Sequence, residues 1–226
     1  FIMSHPISDI AIIGTGPVGL ITAITLAKET NFQINLFGPK PDENFLAKDT
    51  RTTAFMAPSI ILLEKCNIWS DCKENASPLK HLRMIDDCGS LIRAPDCHFS
   101  CDDLNMTAFA QNIPNSDLNK ALISHIENPD QIKWLETQAV TKVKNIDDTI
   151  EITTQENETY RAELCVGADG KNSICRSATE IKTTEWQYDQ TARLLIHSPV
   201  ASQRYVYRNT QKNGANDPNS IGRTSF

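Results

Sequence analysis

Asp9-Ile-Ala-Ile-Ile-Gly14 is a short, almost unbroken apolar run, the pattern of a strand covered on both faces of a parallel sheet. Behind it Leu20, Ile21, Ile24 and Ala27 recur at helical spacing and Pro17 suits a first helical turn, which predicts a helix over 17–29. A second short strand follows over 33–37. Strand, glycine turn, helix and strand make a βαβ unit, whose strands should run parallel. The stretch 38–50 holds a glycine, two prolines and mixed charges, so it reads as a loop leading to a helix near 58–66. Beyond it, Leu79–Ile85 and Leu91–Ala94, separated by Asp86-Asp87-Cys88-Gly89, predict a hairpin. Leu118, Leu122 and Ile126 predict a helix over 117–126, and short strands of a meander follow at 132–135, 139–143, 149–154 and 159–161. Leu164-Cys-Val-Gly-Ala168 is a second buried strand, ending in Asp169-Gly170. Ser198 to Phe226, rich in Asn, Ser, Gln and Arg, shows little periodicity and is expected to be irregular. The expected fold class is α/β, a doubly wound parallel sheet.

Composition narrows the function classes. With 226 residues, 40% of them hydrophobic, the chain can bury a real core. The 28 acidic residues outnumber the 22 basic ones and give a net charge of -6, so no overall positive field exists to neutralise phosphates, and no nucleic-acid partner is expected. Seven cysteines scattered along a chain of this size read as free thiols in a reducing, bacterial-type cytoplasm. Cys97, His98 and Cys101, with His81 and Cys88 nearby, lack a second well-spaced pair, so no metal site is expected there. The uncharged run Ile10–Ala27 is long enough for a bilayer, but it holds Gly14, Gly16, Pro17, Gly19 and three threonines, and no Lys or Arg precedes it. Neither a membrane span nor a signal peptide is expected. Hydrolase motifs of the G-x-S-x-G or H-E-x-x-H kind do not occur.

Gly14-Thr-Gly16-Pro17-Val-Gly19 fits G-x-G-x-x-G directly after a buried strand and at the opening of a helix, the context that motif requires. Gly14 allows the tight turn, Gly16 lets backbone N–H groups approach a pyrophosphate, and Gly19 permits close helix-to-strand packing. The anion then meets the positive end of the helix dipole. Which dinucleotide binds stays open at this point. The second strand should end in a carboxylate for the ribose, yet Leu36-Phe37-Gly38 stands there, with Asp42 and Glu43 only later in the loop.

A second motif is Gly167-Ala-Asp169-Gly170-Lys-Asn-Ser173-Ile-Cys-Arg176. GxGPxGL followed about 150 residues later by GADGxxSxxR resembles the flavoprotein aromatic hydroxylases related to para-hydroxybenzoate hydroxylase. Asp49-Thr-Arg51-Thr-Thr-Ala54 is similar to that family's arginine segment beside the flavin. Leu82-Arg-Met-Ile-Asp-Asp87, Asn112-Ile-Pro-Asn115-Ser-Asp-Leu118 and Tyr188-Asp-Gln-Thr-Ala192 resemble its ubiquinone-biosynthesis branch, the polyprenyl-phenol hydroxylases. The resemblance covers about residues 9–192. The family's third motif, of the GD type, and its C-terminal helical part have no counterpart in 193–226, so the chain is expected to be a truncated form or fragment.

The resemblance implies an FAD-binding Rossmann-like sheet with an inserted, incomplete β-sheet substrate domain. It divides the chain into a first FAD-binding part (1–75), substrate-domain strands (76–110), a second FAD-binding part (111–180), and the start of a substrate domain with an irregular tail (181–226). It places Gly14, Gly16, Pro17 and Gly19 on the FAD pyrophosphate and Arg51 near the phosphates or the isoalloxazine ring. Asn115 falls where a polar side chain near the flavin is common, and Asp169 with Gly170 falls on the ribitol or phosphate side. Ser173 and Arg176 hold the loop and the following helix. From the residues alone, Asp169-Gly170 also reads, less readily, as a strand-ending turn, and Arg51 is as readily a solvated loop arginine. The implied reaction is reduction of FAD by NADH or NADPH, use of O₂, and hydroxylation of a polyprenylated phenol. No single catalytic residue is assigned, since the cofactor carries such chemistry. Such a substrate implies peripheral contact with the inner face of the membrane, or membership of a biosynthetic complex. Two other readings stand beside it: a pyridine-nucleotide-dependent dehydrogenase, and a non-catalytic dinucleotide-binding remnant.

Overall fold

The structure is a computed structural model that describes residues 5–85, 94–186, 190–195 and 206–211. Its centre is a six-stranded sheet. The first strand, β1 (Ser8–Ile13), is joined by the glycine turn to helix α1 (Pro17–Glu29), which leads back to β2 (Ile34–Phe37). β1 and β2 are parallel, with Ile10 opposite Ile34 and Ile13 opposite Phe37. Then come helix α2 (Glu43–Lys48), β3 (Thr52–Met56), and the helices α3 (Ala57–Lys65) and α4 (Trp69–Cys72). The short strands β4 (Ser77–Leu79), β5 (His81–Met84), β6 (Cys97–Ser100) and β7 (Ala110–Pro114) precede helix α5 (Asn115–Ile126). The remaining elements are β8 (Ile132–Leu135), β9 (Val140–Ile146), β10 (Thr149–Thr154), β11 (Thr159–Gly167), helix α6 (Ile174–Ala178), β12 (Gln190–Leu195) and β13 (Val206–Gln211).

The large sheet runs β8-β2-β1-β11-β10-β9. Its first four strands are mutually parallel, and β10 and β9 extend it antiparallel. One face is covered by α1 and α5. Leu20, Ala23, Ile24 and Ala27 of α1 and Leu118, Ala121, Leu122 and Ile126 of α5 are buried with Ile10, Ile12, Ile34 and Leu36 of the strands. On the other face the meander turns inward: Ile152, Tyr160 and Ala162 share a cluster with Ala11, Ile13 and Phe37. The Phe37 and Tyr160 rings meet edge to face with centroids 5.2 Å apart. Both faces of β1 are therefore covered, which explains its unbroken apolar sequence. No helix among the described residues is long and apolar enough to cross a membrane. The run Ile10–Ala27 is spent on strand, turn and helix.

Several expectations need correction. The 38–50 loop contains α2, which buries Leu46. Ile132–Leu135 is no part of the meander: β8 lies at the opposite edge, parallel to β2, with Leu36 opposite Trp134. Alternation announces a strand but not its neighbour. The strands expected at 159–161 and 164–168 are one strand, β11, carried by β10 in its first half and β1 in its second. In the hairpin, β5 pairs with β6, so His81 faces Ser100 and Met84 faces Cys97. The expected turn at 86–89, and residues 91–93 of the strand expected at Leu91–Ala94, lie outside the described residues. Ser77–Leu79 instead joins β7, which also pairs with β3 in a three-stranded sheet. The tail expected to be irregular contributes β13, antiparallel to β12 with Ala192 opposite Asn209. The rest of it lies outside the described residues.

Candidate functional site

β2, β1 and β11 end side by side, and the site is built where they stop. Gly14 N–H donates to Phe37 O (2.9 Å) on one side, and Ala168 N–H donates to Ile13 O (2.8 Å) on the other. Gly14 has φ +113°, which L side chains rarely adopt. A methyl group there would stand 2.3 Å from Ala168 O and 3.0 Å from Asp169 N. The two motifs therefore meet backbone to backbone. A methyl group on Gly19 would come within 1.9 Å of Gly14 O, so the missing side chain lets α1 seat on the turn. Gly16 is different: a methyl group there would meet nothing within 4 Å. Gly16 is also the N-cap of α1, no side chain caps the helix, and Pro17 takes its first turn. The first-turn N–H groups are thus available to an external acceptor beside an open approach. These residues fit a pyrophosphate.

The end of β2, where the motif leads one to expect a carboxylate, is filled in an unexpected way. Gly38 has φ +149°, and a side chain on it would come 2.7 Å from Thr15 Oγ1. Thr15 Oγ1 donates to Pro39 O (2.8 Å), and Trp134 Nε1 donates to Gly38 O (3.0 Å). The end of β2 is thus pinned against the glycine turn, with no room for a carboxylate. Glu43 lies further on, exposed at the first turn of α2.

Asp169 shapes the other side. Its Oδ2 accepts from the N–H groups of Ile174 (2.7 Å) and Cys175 (3.3 Å) at the start of α6. Its Oδ1 is buried without a partner, an acceptor open to an entering donor. Burial opposes ionisation of Asp169, but the Ser173 side chain and the N–H groups of Cys175 and Ile174 outweigh it and hold the carboxyl below its ordinary range. Ser173 Oγ accepts from Arg176 N–H (3.0 Å) and caps α6, while Arg176 Nη2 donates to Lys171 O (2.6 Å). Both side chains hold the loop. Gly170, with φ +78°, has open space where a side chain would stand.

Arg51 and Asn115 belong to a second group. Arg51 Nε and Nη2 donate to the two Asp49 carboxylate oxygens at 2.8 Å each, a bidentate pair. The pair holds the Asp49 carboxyl well below the usual carboxylate range, helped by the Arg51 N–H and the Asn115 amide. Asn115 Oδ1 accepts from Thr53 Oγ1 (2.7 Å), and Asn115 Nδ2 donates to Asp49 Oδ2 (3.3 Å). The Arg51 side chain is 72% exposed whereas that of Asp49 is 11% exposed. No bond joins this group to the glycine turn among the described residues. The link is α5, which begins at Asn115 and packs along α1. The sequence marks Gly38 as the place of the missing acid, but it does not mark Asp49 or Thr15 as parts of the site. The Asp-x-Arg spacing is the signal for Asp49, and the glycine ending β2 is the signal for Thr15.

Comparison with known proteins agrees with this geometry. The chain is 26% identical over 197 residues to 3-demethoxyubiquinol 3-hydroxylase of Escherichia coli, covering 85% of this chain and 49% of that protein. It is 25% identical over 199 residues to ubiquinone hydroxylase UbiL of Rhodospirillum rubrum, covering 88% and 45%. It thus spans about half the length of these curated relatives. Among solved structures, the fold matches pqsL, a probable FAD-dependent monooxygenase from Pseudomonas aeruginosa, with a TM-score of 0.65 at 14% identity over 87% of this chain and 52% of that one. The p-nitrophenol 4-monooxygenase PnpA of Pseudomonas putida matches with a TM-score of 0.55 at 18% identity, over 85% of this chain and 46% of that one. The family described as FAD binding domain matches residues 8–215, and with its two glycine motifs folded into one sheet edge the chain belongs to that family.

Proposed function

We propose that the chain is the FAD-binding part of a monooxygenase that hydroxylates a polyprenylated phenol in ubiquinone biosynthesis, with NADH or NADPH as reductant and O₂ as co-substrate. The observation that carries the reading is the backbone contact of Gly14 with Ala168 and Asp169, which makes one binding edge from two motifs. The Gly14–Gly19 turn with Pro17 would hold the pyrophosphate, through N–H groups at the start of α1. Asp169 and Gly170 would face the ribitol side, where the unpartnered Oδ1 offers an acceptor to a hydroxyl. Arg51, fixed by Asp49, and Asn115 would stand toward the phosphates or the ring. When bound, FAD supplies the redox and oxygen-transfer chemistry. The protein's part is to bind, orient and exclude water. This fits a site built mainly from backbone rather than from a catalytic triad. The hydroxylase activities of the Escherichia coli and Rhodospirillum rubrum relatives support the substrate class. A dehydrogenase reading draws less support, because it gives no role to the second motif, which packs against the first through Gly14, Ala168 and Asp169. The domain division at 75, 110 and 180 belongs to the same proposal, as does a site of action at the inner face of the membrane.

The test is titration of the purified chain with FAD, followed by absorbance and flavin fluorescence, beside parallel titrations with NADH and NADPH. Saturable FAD binding that Gly16→Val weakens supports the reading. Binding of a nicotinamide dinucleotide with none of FAD would overturn it in favour of a dehydrogenase.

A further inference from the structure

Directly behind the Asp169–Gly170 loop, two cysteines meet that the proposed function does not use. Cys165 lies on β11 opposite Ala11, and Gly167, two residues on, turns the same face of the strand. Cys175, the second residue of α6, sits against that face. Its Cβ and Sγ are 2.7 and 3.2 Å from where a Gly167 side chain would begin, so α6 can approach β11 only because Gly167 has none. Both cysteines pack against the cluster of Ala11, Ile13 and Phe37, and each thiol shifts the titration of the other. Both are free and only partly buried, unlike Cys66, Cys72 and Cys101, which are sealed in the core.

We propose that Cys165 and Cys175 are a redox-active thiol pair that closes to a reversible disulfide on reaction with a hydroperoxide, hydrogen peroxide being the simplest. The Cys175 thiol lowers the pKa of Cys165, against burial and the charge of Asp169. The Cys165 thiol, with burial, raises that of Cys175. One sulfur is therefore poised as nucleophile while its partner keeps the proton. The Cys165 thiolate attacks one peroxide oxygen and the O–O bond breaks. Cys165 becomes a sulfenic acid, and the departing hydroxide takes a proton to become water. The Cys175 sulfur then displaces the sulfenic hydroxyl, which leaves with the Cys175 proton as a second water, and the S–S bond forms. Two thiols lose two electrons and the peroxide becomes two waters. A small dithiol reverses the step by exchange. The disulfide clamps α6 to β11 across the Asp169–Ser173 loop. Because Cys175 N–H also bonds Asp169 Oδ2, the lock acts on the same loop as the proposed flavin site, while the thiol chemistry stands without that reading.

The folded chain is treated with hydrogen peroxide, blocked with iodoacetamide, digested with trypsin without reduction and mapped by mass spectrometry. Cleavage after Arg161, Lys171 and Arg176 puts the two cysteines on separate peptides, 162–171 and 172–176. The expected result is that these two appear joined, and that dithiothreitol given before the block returns both as alkylated thiols. In Cys175→Ser, Cys165 should stop at a sulfenic acid that dimedone traps. In Cys165→Ser, Cys175 should stay reduced at the same dose, with circular dichroism confirming that both variants fold. The proposal is overturned if Cys97 is oxidised while Cys165 and Cys175 remain alkylatable, if either pairs with another cysteine instead, or if Cys175 reacts equally in the absence of Cys165.

Discussion

The two halves of the candidate site are made in opposite ways. At the end of β1 the site is backbone: Gly14 and Gly19 are packed against other main chain, and Gly16 leaves an approach to N–H groups. Around Arg51 it is side chains, with Asp49, Thr53 and Asn115 joined by bonds that reach an exposed guanidinium. The first kind of site cannot be rebuilt by rotating a side chain, since strand order and register fix it. The second kind can be re-aimed, because Arg51 reaches Asp49 from only two residues away across an exposed loop. A rigid edge suits a group bound the same way throughout, such as a pyrophosphate. An arginine on a paired leash suits a position where charge must adapt.

The largest expected effect probes the rigid half. Gly19→Val puts a side chain 1.9 Å from the Gly14 carbonyl, where neither partner can turn aside. Urea unfolding should show a loss of roughly 3 kcal/mol or more, in the range of severe overpacking. Gly14→Ala should behave alike, since it adds strain at φ +113° to a 2.3 Å approach to Ala168 O. Little change in either variant would mean that the turn is not tightly packed, and the contrast between the two halves would vanish.

Next comes Gly16→Val, at a position with open space around it. Stability should hold within about 0.5 kcal/mol, as for a surface change. FAD affinity should fall tenfold or more, about 1.4 kcal/mol, because the new side chain occupies the approach to the α1 N–H groups. Gly14, Gly16 and Gly19 share one motif, yet the first and third should break the fold and the second should break binding. FAD titration with equal affinities for variant and parent would remove the pyrophosphate from this turn.

How much of this was legible follows from the same contrast. The βαβ unit could be read because its signals are local: an apolar run, three glycines at fixed spacing and a helical repeat. The inward face of α1, with Leu20, Ala23, Ile24 and Ala27 buried, follows from that repeat. Strand neighbours could not be read, since β8 and the meander strands alternate alike but pair at opposite edges. The β6 partner of β5 is not legible because Cys97-His-Phe-Ser carries no strong alternation, and its pairing depends on register with His81–Met84. Helix α2 went unseen because Leu46 is its one described residue that is buried. The side-chain group suffered most. Arg51 and Asn115 were named through resemblance, but Asp49, which joins them, is an ordinary loop carboxylate until the fold brings α5 beside it. The Gly38 position shows the reverse case: the missing acid was visible, and its reason, the close approach of Thr15, was not.

A smaller effect tests whether Asp49 organises the second half. Its folded-state pKa lies below the ordinary value of 3.8, first through the bond from Arg51, so it contributes stability above about pH 4 and loses it as pH falls toward the folded-state value. Asp49→Asn should therefore cost stability at pH 7, and the difference from the parent should shrink as the pH is lowered through about 4. Solvent screening of the exposed guanidinium keeps the expected cost below about 1 kcal/mol. Asn115→Ala, which removes the bonds to Thr53 and Asp49, should cost about 1 kcal/mol, with little pH dependence of its own. Unfolding curves at pH 7 and pH 3 measure both. A pH-independent cost for Asp49→Asn would show that the ion pair does not organise the loop.

The smallest stability effect, and the sharpest question, belongs to Arg51→Ala. With its side chain 72% exposed and its partner two residues away, Arg51 should contribute less than about 0.5 kcal/mol to folding. Its removal leaves Asp49 with the Asn115 amide and an uncompensated carboxylate charge. If the two halves serve one ligand, that freed negative charge should repel the FAD phosphates while the attractive guanidinium is lost, and affinity should drop about fivefold or more. The drop should shrink as salt is raised, because the interaction passes through solvent. Arg51→Lys keeps the charge without the planar fork that grips Asp49, so it should restore part of the affinity but not the position. Equal FAD affinity for parent, Ala and Lys variants across a salt series would separate the halves. The backbone edge would then be the whole binding site, and the Asp49–Arg51 pair a brace for the start of β3.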